Sequence, residues 1–106
     1  MCLGKKRNKI YDEDKELVVA NSKAISVLTK ILQDEEFVTR AEQIQIQLKF
    51  LTPSNNNKVM DCDKKIRNIL EDLKIIVVKN NHDKVNDAIG TLYKIEVLIA
   101  ERRLLL

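Results

Sequence analysis

Three kinds of side chain in this sequence are suited to chemistry: a carboxylate in an apolar setting, a cysteine with a histidine, and a run of basic residues near the start. Wound at 100° per residue, Glu96 stands among Val85, Ile89, Leu92 and Ala100, with Arg103 on the same line two turns on. A carboxylate held in apolar surroundings needs a partner or its pKa rises, which is the condition of a general acid. A single inward acid with no His or second acid beside it does not make an active site. The expectation for Glu96 is therefore a buried polar residue between two apolar flanks, paired to a Lys or Arg. Asn21 lies near the middle of another apolar face. It reads either as a buried group that sets helix register, as a lone Asn does in coiled coils, or as a residue at a wet end.

Cys62 and His82 are conceivable metal ligands, but they fall at opposite ends of one helical segment, about 30 Å apart. The Glu-x-x-His pairing of di-iron bundles is absent from the sequence. No metal and no cofactor is expected. The one His has no nucleophile in a recognisable motif, and Gly4 and Gly90 stand alone rather than in a phosphate-cradling loop. Catalysis is not the leading expectation, and an enzyme centred on Glu96 stands as the weakest of three alternatives.

Lys5, Lys6, Arg7 and Lys9 place four positive charges within ten residues that contain no acid. Such an arm is able to contact phosphates or an acidic surface. Its plain alternative is a solvated, flexible tail over residues 1–10, ahead of a single domain over 11–106. Of 19 basic and 16 acidic residues, the remainder keeps 15 and 16, so the body is close to neutral. Two Tyr, two Phe and no Trp leave little for stacking bases or sugars.

The elements that carry these residues are helical. Two Gly and one Pro in 106 residues are too few for the turns of a sandwich or barrel. Apolar spacing predicts helices over about 12–33, 35–52, 58–79 and 82–104. The first buries Leu17, Ala24, Ile25, Val27, Leu28, Ile31 and Leu32. The second buries Phe37, Ala41, Ile44, Leu48 and Leu51. The third buries Val59, Cys62, Ile66, Ile69, Leu70, Leu73, Ile76 and Val77. The fourth is apolar nearly all round. Each segment opens with acids and closes with bases, as the helix dipole favours. Asp34 suits an N-cap between the first two, and Asn80 with Asn81 suits the last junction. The stretch Thr52-Pro53-Ser54-Asn55-Asn56-Asn57 is the one loop-like interruption. The fold class expected is all-α: a four-helix up-down bundle, two helical hairpins joined by a polar loop. Residues 43–50 alternate like a strand and 75–78 are β-branched. The stripe from Phe37 to Leu51 runs through the first of these and favours helix.

Apolar surface is left over. Ile46 and Phe50 point away from their stripe with no charge between Glu42 and Lys49. Ile75 also faces away, Leu98 falls in the polar arc of the fourth segment, and Leu104, Leu105 and Leu106 follow. A second apolar face of this kind marks an interface. The expected role is a non-enzymatic protein that associates with itself or another helical protein. A nucleic-acid-binding regulator using the basic arm is the alternative. No secretory leader or myristoylation site is expected, and the apolar runs Leu17–Ala20, Ile75–Val78 and Val97–Ala100 are too short to span a membrane. Two cysteines without a pairing motif suggest a reduced, cytoplasmic setting.

Overall fold

A computed structural model of the chain describes residues 9–79 and 84–106. Four helices make up nearly all of it: α1 Lys9–Ile31, α2 Glu35–Lys49, α3 Asn57–Lys79 and α4 Val85–Leu104. No strand occurs among the described residues, so the alternating and β-branched stretches are both helical. α1 starts three residues before its expected position.

The junctions are set by local chemistry. Asp34 has extended backbone angles (φ −76°, ψ 132°), and its Oδ1 accepts the Phe37 N–H at 3.0 Å. This N-cap lets α2 begin after only three intervening residues; such a cap contributes about 1 kcal/mol. α2 stops short of Pro53, and Phe50 and Leu51 close its last turn onto Ile46 O and Leu48 O. Asn56 opens α3: its side chain accepts from Lys58 N at 2.8 Å and its carbonyl from Met60 N at 3.0 Å. The expected caps Asn80 and Asn81 lie outside the described residues.

α1 packs against α2 and α3, and α4 packs against α3 and α2. The diagonals of the bundle are therefore α1/α4 and α2/α3, and the loop over 50–56 crosses the end of the bundle. Asn21 meets Asp63, and Ala24 and Ile31 share a groove with Arg67 and Lys74, so α1 and α3 run parallel. Arg40 meets Tyr93 and Gln47 meets Arg103, so α2 and α4 run parallel as well. The result is two antiparallel hairpins lying side by side.

One spacing organises all four helices. The central buried positions are 14, 18, 21, 25 and 28 on α1 with 32 just past its end, and 37, 41, 44 and 48 on α2. They are 59, 63, 66, 70, 73 and 77 on α3, and 88, 92, 95, 99 and 102 on α4. Steps of four and three alternate in every helix, the seven-residue repeat of helices that pack with small crossing angles. From Ile25 and Phe37 to Leu48, Ile66 to Val77, and Ala88 to Ile99, these positions form one continuous apolar core. Each large side chain fully buried there is worth roughly 1.5–3 kcal/mol.

Two face assignments differ from expectation. Val27 and Ile31 are 54% and 44% exposed, because the true stripe of α1 runs through Asp14 and Asn21 rather than through its most apolar residues. On α4, Leu98 is 8% exposed and belongs to the core, not to a polar arc. Position 98 lies next to 99 and three after 95, on the α3 side of the core stripe.

Candidate functional site

At one end of the bundle the stripe positions are polar. α1 supplies Asp14 and Asn21, α3 supplies Asp63, and α4 supplies Arg102; none is more than 1% exposed. Arg102 Nε donates to Asp63 Oδ1 at 2.9 Å. Its Nη2 donates to Thr52 O at 2.8 Å and reaches Asp14 Oδ2 at 3.5 Å. Asp14 Oδ2 also accepts the Ser54 N–H at 2.7 Å. Asn21 Nδ2 donates to the Asp63 carbonyl at 3.1 Å. One guanidinium thus ties together three helices and the crossing loop.

The charge balance is uneven, with two carboxyl groups facing one cation. Asp14 Oδ1 and Asp63 Oδ2 have no donor among the described residues. Burial, followed by the hydrogen bond to Asp14, pushes Asp63 up from its usual 3.8 to about 7, against the opposing pull of Arg102. Asp63 therefore holds its proton well above the ordinary carboxylate range. Two like charges in one dry site cannot both be exposed to each other cheaply, and one retained proton leaves the cluster neutral. All three side chains are sealed from solvent and engaged with each other and with backbone. Nearby, Cys62 is buried, and burial, then Glu101, raises its thiol above 9.0, away from a reactive thiolate.

The residues singled out by sequence fall in different places. Asn21 is buried, and its side chain bonds the Asp63 carbonyl rather than facing a wet end. Glu96 is a correction: it is only half-buried, and the buried ion of α4 is Arg102, six residues on. Because α4 is apolar on most sides, the centre of its apolar arc did not coincide with its buried stripe. Arg103, aligned with Glu96 in the sequence, is exposed and donates to Gln47 at 3.3 Å. Lys9 is an exposed residue of the first turn of α1, while Lys5, Lys6 and Arg7, like His82, lie outside the described residues. No group of three or more potential metal ligands occurs among the described residues. No described helix is long and apolar enough to cross a membrane.

Ile46, Phe50 and Ile75 are 57%, 75% and 55% exposed, and Leu104 and Leu106 are 87% and 73%. Leu105 is at the margin, at 36%. Sequence reasoning missed Asp14, Asp63 and Arg102, which read as dipole-complementing charges at helix ends. Their signal was spacing: each continues a four-three stripe of apolar residues. No family model matches the chain, and no curated protein or solved structure is similar to it.

Proposed function

We propose that this chain is a non-enzymatic interaction protein that works in the cytoplasm through helix-mediated association, with a second copy or another helical protein as partner. The observation that carries this reading is the outward face of the α2/α4 layer. On α2, Thr39, Gln43, Ile46 and Phe50 form an uncharged stripe opposite the core, and its two large members are more than half exposed. Beside it, α4 exposes Tyr93, Val97 and Leu104. An isolated bundle gains nothing from apolar side chains at these positions, whereas burying one against a partner is worth roughly 1.5–3 kcal/mol. The buried ion cluster among the described residues ties helices together, so the reading rests on the surface.

The test is sedimentation of the wild type against the double variant Ile46→Lys, Phe50→Glu. Both side chains are exposed, so the variant stays helical and unfolds cooperatively. The expected result is a lighter species or the loss of a co-purifying helical partner. A wild type that remains monomeric at high concentration and binds no helical protein overturns the reading.

A further inference from the structure

The outer face of α4 carries more than scattered apolar residues. Gly90, Tyr93, Val97, Ala100 and Leu104 are all exposed and are spaced three, four, three, four. This second seven-residue stripe lies about 160° round the helix from the buried one. It has the composition of a helix-pairing seam, with small residues that let a backbone come close beside larger ones that fill the gap. Arg40 covers one face of the Tyr93 ring from 5.0 Å and fixes it, yet leaves the residue 47% exposed.

Charges flank the seam on both sides. Lys94 and Glu101 lie toward α3, where they border grooves with Lys65. Glu96 and Arg103 lie toward α2, where Arg103 meets Gln47. Suppose a second α4 is laid antiparallel across the first, with the two-fold axis between Val97 and Ala100. Val97 of one copy then faces Ala100 of the other, and Tyr93 faces Leu104. In that register Lys94 falls across from Glu101 of the other copy, and Glu96 falls across from Arg103. Both flanks are complementary, and the two-fold axis makes each pair twice. Laid parallel, the seam would instead set Glu96 against Glu101, a like-charge contact that disfavours that arrangement.

We propose that two copies of this chain dimerise through α4, antiparallel, along the seam Tyr93-Val97-Ala100-Leu104 with Lys94–Glu101 and Glu96–Arg103 pairing across it. This rests on the association reading above and names its partner and register. α2 contributes its adjoining uncharged stripe to the same face.

Charge exchange tests it. Lys94 and Glu101 are two turns apart on one helix, too far to pair within a copy, so exchanging them leaves the monomer as it was. Full-length wild type, Lys94→Glu, and Lys94→Glu with Glu101→Lys are compared by sedimentation equilibrium at low salt. The single variant sets acid against acid twice and is expected to dissociate roughly tenfold more readily; the exchanged pair restores wild-type affinity. A single variant that weakens the dimer without rescue overturns the antiparallel register. A dimer indifferent to Lys94→Glu but broken by Ile46→Lys with Phe50→Glu overturns the α4 seam and leaves the association reading standing. A wild type monomeric at every concentration overturns the self-pairing seam, and a helical partner captured by that monomer would keep the broader reading alive.

Discussion

Near the α1–α2 turn, the stripe positions hold Leu28, Leu32, Phe37, Ala41, Leu73, Val77, Ala88 and Leu92, all buried and all apolar. At the opposite end, the same spacing delivers Asp14, Asn21, Asp63 and Arg102, buried just as completely. The backbone pattern is one; the chemistry is two. Apolar contact is not directional, and its free energy follows the area removed from water, so the first region stabilises many similar packings nearly equally. The second region gains little net stability, since desolvating its ions offsets most of their attraction. It discriminates, however. Sliding α3 one repeat along α1 would replace Asp63 by Leu70 opposite Arg102 and leave a buried charge without its partner. The apolar body supplies the stability of the bundle, and the polar end selects its register.

The most severe way to break this comparison is to remove the cation alone. Arg102→Met leaves Asp14 and Asp63 facing each other and strands Thr52 O. The expected loss is about 3–5 kcal/mol, the usual effect of removing one partner from a buried ion pair. In a domain of this size that lowers the melting temperature by about 4–8 °C per kcal/mol. Changing all three, Asp14→Leu, Asp63→Leu and Arg102→Met, should recover most of that loss or exceed wild type. In the apolar body, the volume-conserving Leu73→Met should cost under about 1.5 kcal/mol. Urea denaturation of the four proteins checks this. A triple variant no more stable than Arg102→Met would show that the cluster stabilises the fold outright.

A gentler perturbation is pH. Asp63 sits at about 7 in the folded chain against 3.8 when unfolded. Its folded pKa is raised, so the native state holds the proton more tightly than the unfolded state does. That contribution is fully present below about pH 4 and is lost as pH rises toward 7. The largest slope is about 1.4 kcal/mol per pH unit. Within this range the facing ionisable groups are Asp14 from α1 and Arg102 from α4, with Cys62 adjacent on α3; the crossing loop presents only backbone at Thr52 and Ser54. Between pH 5 and 7, wild type should lose stability while Asp63→Asn, which cannot ionise, stays flat. Parallel curves for the two would remove the retained proton from the account.

The same contrast explains what the sequence made legible. α2 was read correctly because its stripe is wholly apolar: Phe37, Ala41, Ile44 and Leu48 announce their own period. In α1 two of six stripe positions are polar, so a search weighted by hydrophobicity rotated the face toward Val27 and Ile31. α4 failed for the opposite reason. With apolar residues on both its core and outer stripes, the period had no unique phase, and Glu96 was placed inside while Leu98 was placed outside. The hairpin order was legible from caps and the Pro53 loop. The buried cluster was not, because Asp14, Asp63 and Arg102 each also satisfy the end-charge preference of a helix, and that local explanation hid the tertiary one.

The smallest effect is expected at Gly90, on the outside of the apolar region. A Cβ built there meets nothing within 4 Å, and the residue sits in the second turn of α4 in helical backbone. Glycine in a helix interior costs roughly 0.5–1 kcal/mol relative to alanine, through the extra freedom its unfolded chain must surrender. Gly90→Ala should therefore raise the unfolding free energy by that amount, seen as a higher urea midpoint with an unchanged m-value. The gain is several times smaller than the loss at Arg102, and it comes from the backbone alone, so it calibrates what the apolar body owes to packing. Run at low and high protein concentration, the same variant also reads the outer face of α4. In the isolated chain the added methyl is free at both. A gain seen only in dilute solution would mean that association brings another helix against Gly90, extending the seam one layer beyond Tyr93.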